Sequence, residues 1–214
     1  MVRVDLVARV PSNVVTLKLR LHIFTYFLAK MSLEIVLGPM FAGKSSYILS
    51  SLRRYEAIGW GVLCITSSLD KRYEHDAIHS HNHERHDAVS ATSLMEISDT
   101  HKYKEARLLI IEEGQFFTDL YAFVKRAVEE HGKDVLLVGL DGDSERRPFG
   151  HILELIPLCD KVTKLTAMCK RCKTPTNALF TYKKTRNASI IEVGAENEYE
   201  ALCRDHYVML TNQI

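Results

Sequence analysis

The sequence lacks most features that mark nucleic-acid-binding, membrane or disulfide-rich proteins. Its basic and acidic residues nearly balance, with a formal net charge of +1 at pH 7, so the overall charge gives no reason to expect binding to nucleic acid or to an anionic membrane. Five cysteines, an odd number, favour a reducing compartment over a disulfide scaffold, and we expect a cytoplasmic protein. With 46% hydrophobic and 26% charged residues, the 214 residues suit one globular domain with at most a small appendage.

The first thirty residues are poor in acidic side chains, because Asp5 stands alone against five Lys or Arg residues. The apolar run from Val14 to Ala29 is interrupted by two of these basic residues, which argues against a membrane span. A basic, acid-poor start is compatible with an organelle transit peptide. A frayed extension, or a coding start placed upstream of Met31, is the simpler alternative. We predict that residues 1–32 form a disordered extension.

One stretch, LEIVLGPMFAGKSS from Leu33 to Ser46, has the pattern of a phosphate-binding loop. The run from Leu33 to Leu37 is typical of a short buried strand, the next eight residues fit G-x-x-x-x-G-K-[ST], and a helical pattern follows at once. The glycines allow backbone N–H groups to approach phosphate oxygens, and the helix dipole favours the same anion. Lys44 can reach the β- and γ-phosphates, and the Ser45 hydroxyl can bind Mg²⁺. A tight glycine turn that binds nothing is the alternative.

The rest of the chain alternates between hydrophobic runs and helical patterns. Strands are predicted from Val62 to Thr66, Leu108 to Glu112, Val135 to Asp141 and Lys161 to Ala167, and helices from Lys44 to Ile58 and Thr118 to His131. The polar, His-rich stretch from Ser67 to Ser90 has no periodicity and is predicted to be a long, solvent-facing loop, although its histidines could form a second metal site. Continuous apolar strands between helices indicate a parallel sheet covered on both faces. We predict a P-loop NTPase-like α/β domain over residues 33–165.

Two acidic residues, Glu112 and Glu113, stand at the end of the third predicted strand. In P-loop enzymes an acid at the end of a neighbouring strand holds Mg²⁺ or its water ligands. Because successive residues of a strand point to opposite sides, we expect one carboxylate to face the metal and the other to accept a proton from an attacking hydroxyl. The alternative is a solvated strand end without a function.

The pairs Cys169/Cys172 and Cys203/His206 have the composition of a closed, structural zinc site. Thirty residues separate Cys172 from Cys203, which is longer than common zinc-ribbon spacings. The metal is therefore predicted to close the base of a long loop, within a small domain over residues 166–210. Two reduced cysteine pairs without metal are the alternative.

Together these motifs resemble the type II, zinc-containing thymidine kinases, over a stretch from about Leu33 to Tyr207. Six motifs occur in family order: GPMFAGKS, D-x-R-Y from Asp70, EGQFF from Glu113, RPFG from Arg147, KLTA-x-C from Lys164 and Y-x-x-x-C-R-x-H from Tyr199. The resemblance implies transfer of the γ-phosphate of ATP to the 5′-hydroxyl of thymidine, with deoxyuridine as a conceivable second substrate, for DNA-precursor salvage. It also implies catalytic Mg²⁺, structural Zn²⁺ and a homotetramer.

The resemblance further implies roles for individual residues. Glu113 matches the general base, and Lys44, Ser45 and Arg72 would position and neutralise the transferred phosphoryl group. ATP and Mg²⁺ would be bound by Gly38, Pro39, Met40, Phe41, Ala42, Gly43, Lys44, Ser45, Asp70, Arg72, Glu112 and Gln115. The segment from Cys169 to His206 corresponds to a lasso loop over the nucleoside. Thymidine would be contacted by Phe116, Ser144, Phe149, Thr181, Ile190, Ile191, Glu192, Val193, Gly194 and Tyr199.

Two positions depart from the family pattern. The family usually has Asp before the general base, where this chain has Glu112, and the extra methylene lengthens the side chain by about 1.5 Å. The family also has Phe beside the nucleoside base, where this chain has Ser144. These departures leave open a non-catalytic nucleotide- and zinc-binding descendant with a regulatory or structural role. A zinc-ribbon nucleic-acid binder is a third alternative, which the neutral charge argues against.

Overall fold

A computed structural model of the protein describes residues 31–69, 77–79, 85–185 and 198–212. Its strands are β1 Ser32–Leu37, β2 Val62–Ser67, β3 Ala77–His79, β4 Arg85–Asp87, β5 Val89–Ala91, β6 Leu108–Ile111, β7 Asp134–Gly139, β8 Lys161–Lys164, β9 Ala167–Met168, β10 Asn177–Ala178, β11 Phe180–Lys183 and β12 Tyr199–Leu202. Its α-helices are α1 Lys44–Glu56, α2 His101–Glu105, α3 Leu120–Glu129 and α4 Arg204–Asn212, and 3-10 helices cover Met95–Ile97, Gly114–Phe116 and Ile152–Leu158. None of the helices in these described ranges is long and apolar enough to cross a membrane.

Six strands form the main sheet, in the order β5-β2-β6-β7-β1-β8, and every pairing between them is parallel. Leu37 at the end of β1 lies opposite Gly139 at the end of β7, and Ile111 at the end of β6 lies opposite Leu137. The chain segments that follow β1, β6 and β7 therefore leave the sheet along one edge, which is where ligands bind in open α/β sheets. The predicted fold class is confirmed.

Alternate residues of the central strands feed two different cores. On one face Ile35, Leu109 and Leu137 pack with residues of α3 such as Phe123. On the other face Val36, Ile110 and Leu136 pack with Ile48 and Leu52 of α1. Because both faces are covered, β1, β2, β6 and β7 consist mainly of apolar residues, which is why they could be predicted from their apolar runs.

The predicted loop from Ser67 to Ser90 is wrong in part. β3 and β4 pair antiparallel within this stretch, and β5 extends the main sheet by pairing with β2. Each of these strands has three residues, which is too short for a period-2 pattern to be recognised. Pairing with β2 and packing of the half-buried Val89 and Ala91 against the core hold β5 in place.

The single strand predicted from Lys161 to Ala167 corresponds to two separate strands in the structure. β8 is the outermost strand of the main sheet and pairs with β1. β9 instead pairs antiparallel with β10 in a separate sheet. The chain leaves the main sheet after Leu165, whose N–H still donates to the carbonyl of Leu37. Beyond that point, β9 to β12 and α4 form what we call the C-terminal unit, residues 167–185 and 198–212, around a small core of mainly Ala and Cys side chains.

Candidate active site

The loop between β1 and α1 requires glycine at two positions, Gly38 and Gly43, for two different reasons. A Cβ atom on Gly38 would lie 2.7 Å from the carbonyl oxygen of Leu165, so a side chain there would collide with the backbone. Gly43 has a φ of +81° and directly precedes α1, a left-handed conformation that glycine adopts without strain. The strand, glycine loop and helix therefore follow one another as predicted, with the amino terminus of α1 at the sheet edge.

The Lys44 and Ser45 side chains lie against the loop and the neighbouring strand end. The Lys44 ammonium donates to the carbonyl oxygens of Pro39 at 2.9 Å and Gly38 at 3.2 Å, so the charge lies across the loop. The Ser45 hydroxyl donates to Glu112 Oε1 at 2.8 Å. A hydroxyl beside a carboxylate is a pair of hard oxygen ligands of the kind that Mg²⁺ prefers, and the donor chemistry of this pair fits the predicted metal.

The two predicted acids do not lie on a strand. β6 ends at Ile111, and although the Glu112 N–H still donates to the Ile65 carbonyl, Glu113 has a φ of +52° and a ψ of +43°. The argument from strand alternation is therefore wrong, because the strand ends before both residues and Glu113 itself has a left-handed backbone conformation. Such a conformation in a non-glycine residue costs about 1–3 kcal/mol and is concentrated at functional sites.

The Glu113 carboxylate is buried, with 7% of the residue exposed, and Gln115 is 4% exposed. The Gln115 side chain joins two elements: Nε2 donates to Glu113 Oε2, and Oε1 accepts from the Leu140 N–H at 3.0 Å. Because the Leu140 amide can only donate, the oxygen of Gln115 must face it and the NH₂ group must face Glu113. A Cβ added at Gly139 or Gly150 would collide with Gln115, so the observed position of Gln115 requires glycine at both positions. The sequence suggested a nucleotide role for Gln115 and did not reveal this contact.

The described residues of the predicted nucleoside pocket lie on several separate elements. The Phe116 and Phe149 rings meet edge to face, with centroids 5.6 Å apart. Ser144 lies on the loop after β7, and its carbonyl oxygen accepts a hydrogen bond of 2.6 Å from the Tyr207 hydroxyl of α4. Thr181 is buried, and its hydroxyl accepts from the Met40 N–H at 3.0 Å. The structure thus places Thr181 against the phosphate loop, a contact between residues 141 positions apart that the sequence pattern could not indicate.

Four predicted metal ligands converge in the C-terminal unit: Cys169, Cys172, Cys203 and His206, with ligand atoms all within 4.8 Å of one another. The sulfurs of Cys172 and Cys203 are 3.7 Å apart, and the Nδ1 atom of His206 lies 3.3 Å from the Cys203 sulfur. Tetrahedral zinc with bonds of about 2.3 Å to sulfur separates its ligand atoms by roughly 3.5–3.8 Å. The donor set and its spacing therefore fit zinc.

The Cys169 thiol is also prepared for metal binding. Burial opposes its ionisation, but hydrogen bonds from neighbouring backbone N–H groups, first among them that of Cys203, outweigh burial and lower the pKa of Cys169 to about 6. The thiolate is the form of cysteine that binds metal.

Tyr199, predicted to lie near the sugar, is buried at the start of β12.

Several predicted positions lie outside the described residues: Asp70, Arg72, Ile190, Ile191, Glu192, Val193 and Gly194. Their roles stay predictions. Of the clustered histidines only His86 has a described side chain, and its ring lies 3.0 Å from a carboxylate oxygen of Glu56.

The parallel sheet with its glycine loop, the acidic turn at the same sheet edge and the Cys₃His cluster identify the class: an α/β protein of the P-loop type with a site that could hold zinc. A family model described as thymidine kinase matches residues 31–207. Thymidine kinase of Oryza sativa subsp. japonica is 37% identical over 180 residues, which cover 82% of this chain and 66% of the relative. Thymidine kinase a of Arabidopsis thaliana is 36% identical over 186 residues, 86% of this chain and 76% of the relative. Thymidine kinase of Vaccinia virus (strain Ankara) is 35% identical over 176 residues, which cover 82% of this chain and 96% of the relative. The chain belongs to the thymidine kinase family.

Proposed function

We propose that this chain is an ATP-dependent kinase that transfers the γ-phosphate of ATP to the 5′-hydroxyl of thymidine, giving dTMP for DNA-precursor salvage. The observation that carries the proposal is the buried Glu113 carboxylate, held by Gln115 at the sheet edge where the adjacent Glu112 meets Ser45 of the phosphate loop. Membership of the thymidine kinase family supports the substrate.

In this proposal main-chain N–H groups from Phe41 to Ser45 would hold the phosphate tail at the amino terminus of α1. Lys44, which otherwise donates to carbonyls of its own loop, turns toward the β- and γ-phosphates. Ser45 and Glu112, which are joined by a hydrogen bond, would hold Mg²⁺. The ion would neutralise charge on the β- and γ-phosphate oxygens. Asp70 and Arg72 are proposed to act on the same phosphates.

Glu113 is proposed to accept the proton of the 5′-hydroxyl while the hydroxyl oxygen attacks the γ-phosphorus, the bond between the γ-phosphorus and the β–γ bridging oxygen breaks, and ADP leaves. The backbone turn at Glu113 and the Gln115 hydrogen bond fix the carboxylate before substrate arrives, and such positioning accounts for most of the catalysis in phosphoryl transfer. Phe116, Phe149 and Ser144 would line the nucleoside pocket, with Tyr199 on the sugar side and the backbone of residues 190–194 on thymine. Thr181 would also contact the base.

The test is ATP-dependent formation of dTMP by the purified full-length chain, with Glu113→Gln as the matched variant. This substitution keeps the size of the side chain and removes its ability to accept a proton. Loss of a general base lowers kcat by about 10²–10⁴-fold, while binding of ATP should stay unchanged. Equal turnover by both proteins would refute the assigned role of Glu113.

A non-catalytic family descendant is the second candidate. The observation that favours it is the direct hydrogen bond between Glu112 and Ser45, in which the longer acid occupies the hydroxyl proposed to bind Mg²⁺. Nucleotide binding without any dTMP formation across a range of Mg²⁺ concentrations would establish it. The resemblance also supports a cytoplasmic homotetramer, which sedimentation of the purified chain and cell fractionation would test.

A further inference from the structure

The C-terminal unit packs directly on the phosphate loop. Phe41 and Ala42, in the middle of the loop, contact the small core of this unit, whose members include Ala167, Ala178 and Leu202. Ala178 and Leu202 are fully buried. The middle of the loop is therefore covered by the part of the chain that follows β8.

A hydrogen bond accompanies this packing. The Met40 N–H donates to the Thr181 hydroxyl, and Thr181 is 6% exposed. Thr181 lies opposite Ala201 in the β11–β12 pair, and Ala201 precedes the metal-ligand candidate Cys203 by two residues. The position of the Thr181 hydroxyl is thus tied through one strand pair to the Cys₃His cluster.

The loop needs such support, because its backbone is unfavourable at Phe41. This residue has a φ of +66°, in the left-handed region where the Cβ atom of an L-residue is crowded. A bulky side chain persists in this region only when its surroundings hold it there. Contact of Phe41 with the C-terminal unit and the hydrogen bond from the adjacent Met40 amide are two of the interactions that hold the loop there.

We propose that the C-terminal unit preorganises the phosphate loop for nucleotide, with Thr181 as a positioning residue that acts through the Met40 amide and with the Cys₃His metal site fixing the strand pair that carries it. The proposal rests on the proposed function, since it assumes that the loop binds ATP. It extends the role expected for Thr181, because a hydroxyl that accepts from Met40 can still donate one hydrogen bond to a nucleoside base. Nucleotide affinity then depends on a residue and a metal site outside the loop.

The first experiment measures the dissociation constant of a non-hydrolysable ATP analogue with Mg²⁺ and without thymidine, on the zinc-loaded full chain. Thr181→Val keeps the shape of the side chain and leaves the Met40 N–H unpaired, and we expect affinity to fall about tenfold. Thr181→Ser retains the acceptor and should bind within about twofold of the unchanged chain. Thr211→Val is the matched control, because the Thr211 hydroxyl bonds to the Tyr207 carbonyl within α4.

The outcomes separate this proposal from the proposed function. No binding of the analogue by the unchanged chain would refute the proposed function. Unchanged analogue affinity in Thr181→Val, with weaker thymidine binding, would refute the present proposal and leave Thr181 as a nucleoside contact only.

The second experiment does not depend on a variant that folds. Amide hydrogen exchange is compared before and after chelation of the metal, for the segment from Gly38 to Ser45 and for the buried strand β7. We expect the loop amides to exchange faster after chelation, while β7 keeps its protection. Faster exchange in β12 with unchanged exchange in the loop would overturn the proposal.

Discussion

Left-handed backbone conformations at non-glycine residues mark the surroundings of the candidate site. In the described part of the chain they occur at Phe41, Glu113 and Arg146. Phe41 belongs to the phosphate loop, Glu113 carries the proposed base, and the Arg146 guanidinium lies 4.5 Å from the Tyr207 ring centroid. Each conformation costs about 1–3 kcal/mol, so packing around the site must compensate. At the scale of single residues, the site is held by neighbours and not by local backbone preference.

Gln115→Met tests the positioning of Glu113. Methionine has a similar length but cannot bond to Glu113 or to the Leu140 N–H, so the carboxylate loses its fixed orientation. We expect kcat to fall about 10–100-fold, since a misplacement of about 1 Å can cost about 10²-fold, with little change in the KM for ATP. Steady-state dTMP formation measures this. Recovery of kcat at high Mg²⁺ would instead assign Gln115 to the metal, as the resemblance implied.

Ser144→Phe tests the departure from the family pattern beside the nucleoside. Only the carbonyl of Ser144 is used by the Tyr207 hydroxyl, so an aromatic side chain can replace the Ser144 hydroxymethyl group without removing that bond. A ring packed beside thymine should lower the KM for thymidine about 2–10-fold, and the KM for ATP serves as the internal control. An unchanged thymidine KM would show that this position does not face the base.

At the scale of elements, the segments after β1, β6 and β7 lie next to one another, because the carboxyl ends of neighbouring parallel strands are on the same side of the sheet. The end of β7 and the loop that follows it must leave room for Gln115, which is achieved with Gly139 and Gly150. The apolar strands themselves could be predicted, because both of their faces are buried. The short β5 could not be predicted, because three half-buried residues are too few to show a periodic pattern.

Gly150→Ala tests this packing, with Gly59→Ala as its matched control. Both glycines have a positive φ, +60° and +75°, but a Cβ at Gly150 meets the Gln115 backbone whereas one at Gly59 meets nothing within 4 Å. Gly59→Ala should therefore lose only about 1–2 kcal/mol of unfolding free energy, and Gly150→Ala about 1–3 kcal/mol more. Urea unfolding provides the measurement. Equal losses in the two variants would show that the loop moves away from Gln115 at little cost.

At the scale of the whole molecule, two kinds of core coexist. The main sheet buries large aliphatic and aromatic side chains on both faces. The C-terminal unit buries chiefly Ala and Cys around Leu202 and Tyr207, which is little apolar area for the chain that it orders. Zinc binding of about 10–16 kcal/mol at structural sites would offset that shortage.

Chelation of the metal should therefore unfold the C-terminal unit and leave the main sheet folded. We expect one zinc per chain by elemental analysis, as a Cys₃His site implies, and after chelation a loss of near-ultraviolet signal from Tyr207 and its neighbours with most helical signal retained. Cys203→Ser should reproduce this state. A metal-free chain that keeps full activity and full protection in β12 would contradict the structural role of the site.

The sequence by itself determined the α/β class, the glycine loop between β1 and α1, the Cys₃His cluster and the family, because each is encoded in local periodicity, residue chemistry or motif spacing. Tertiary structure alone decided that β6 stops before the acidic pair, that Gln115 holds Glu113, and that Thr181 reaches the amide of Met40. Such contacts depend on how strand ends and loops pack in three dimensions, and no local pattern in the chain records which distant partner a buried polar group will find.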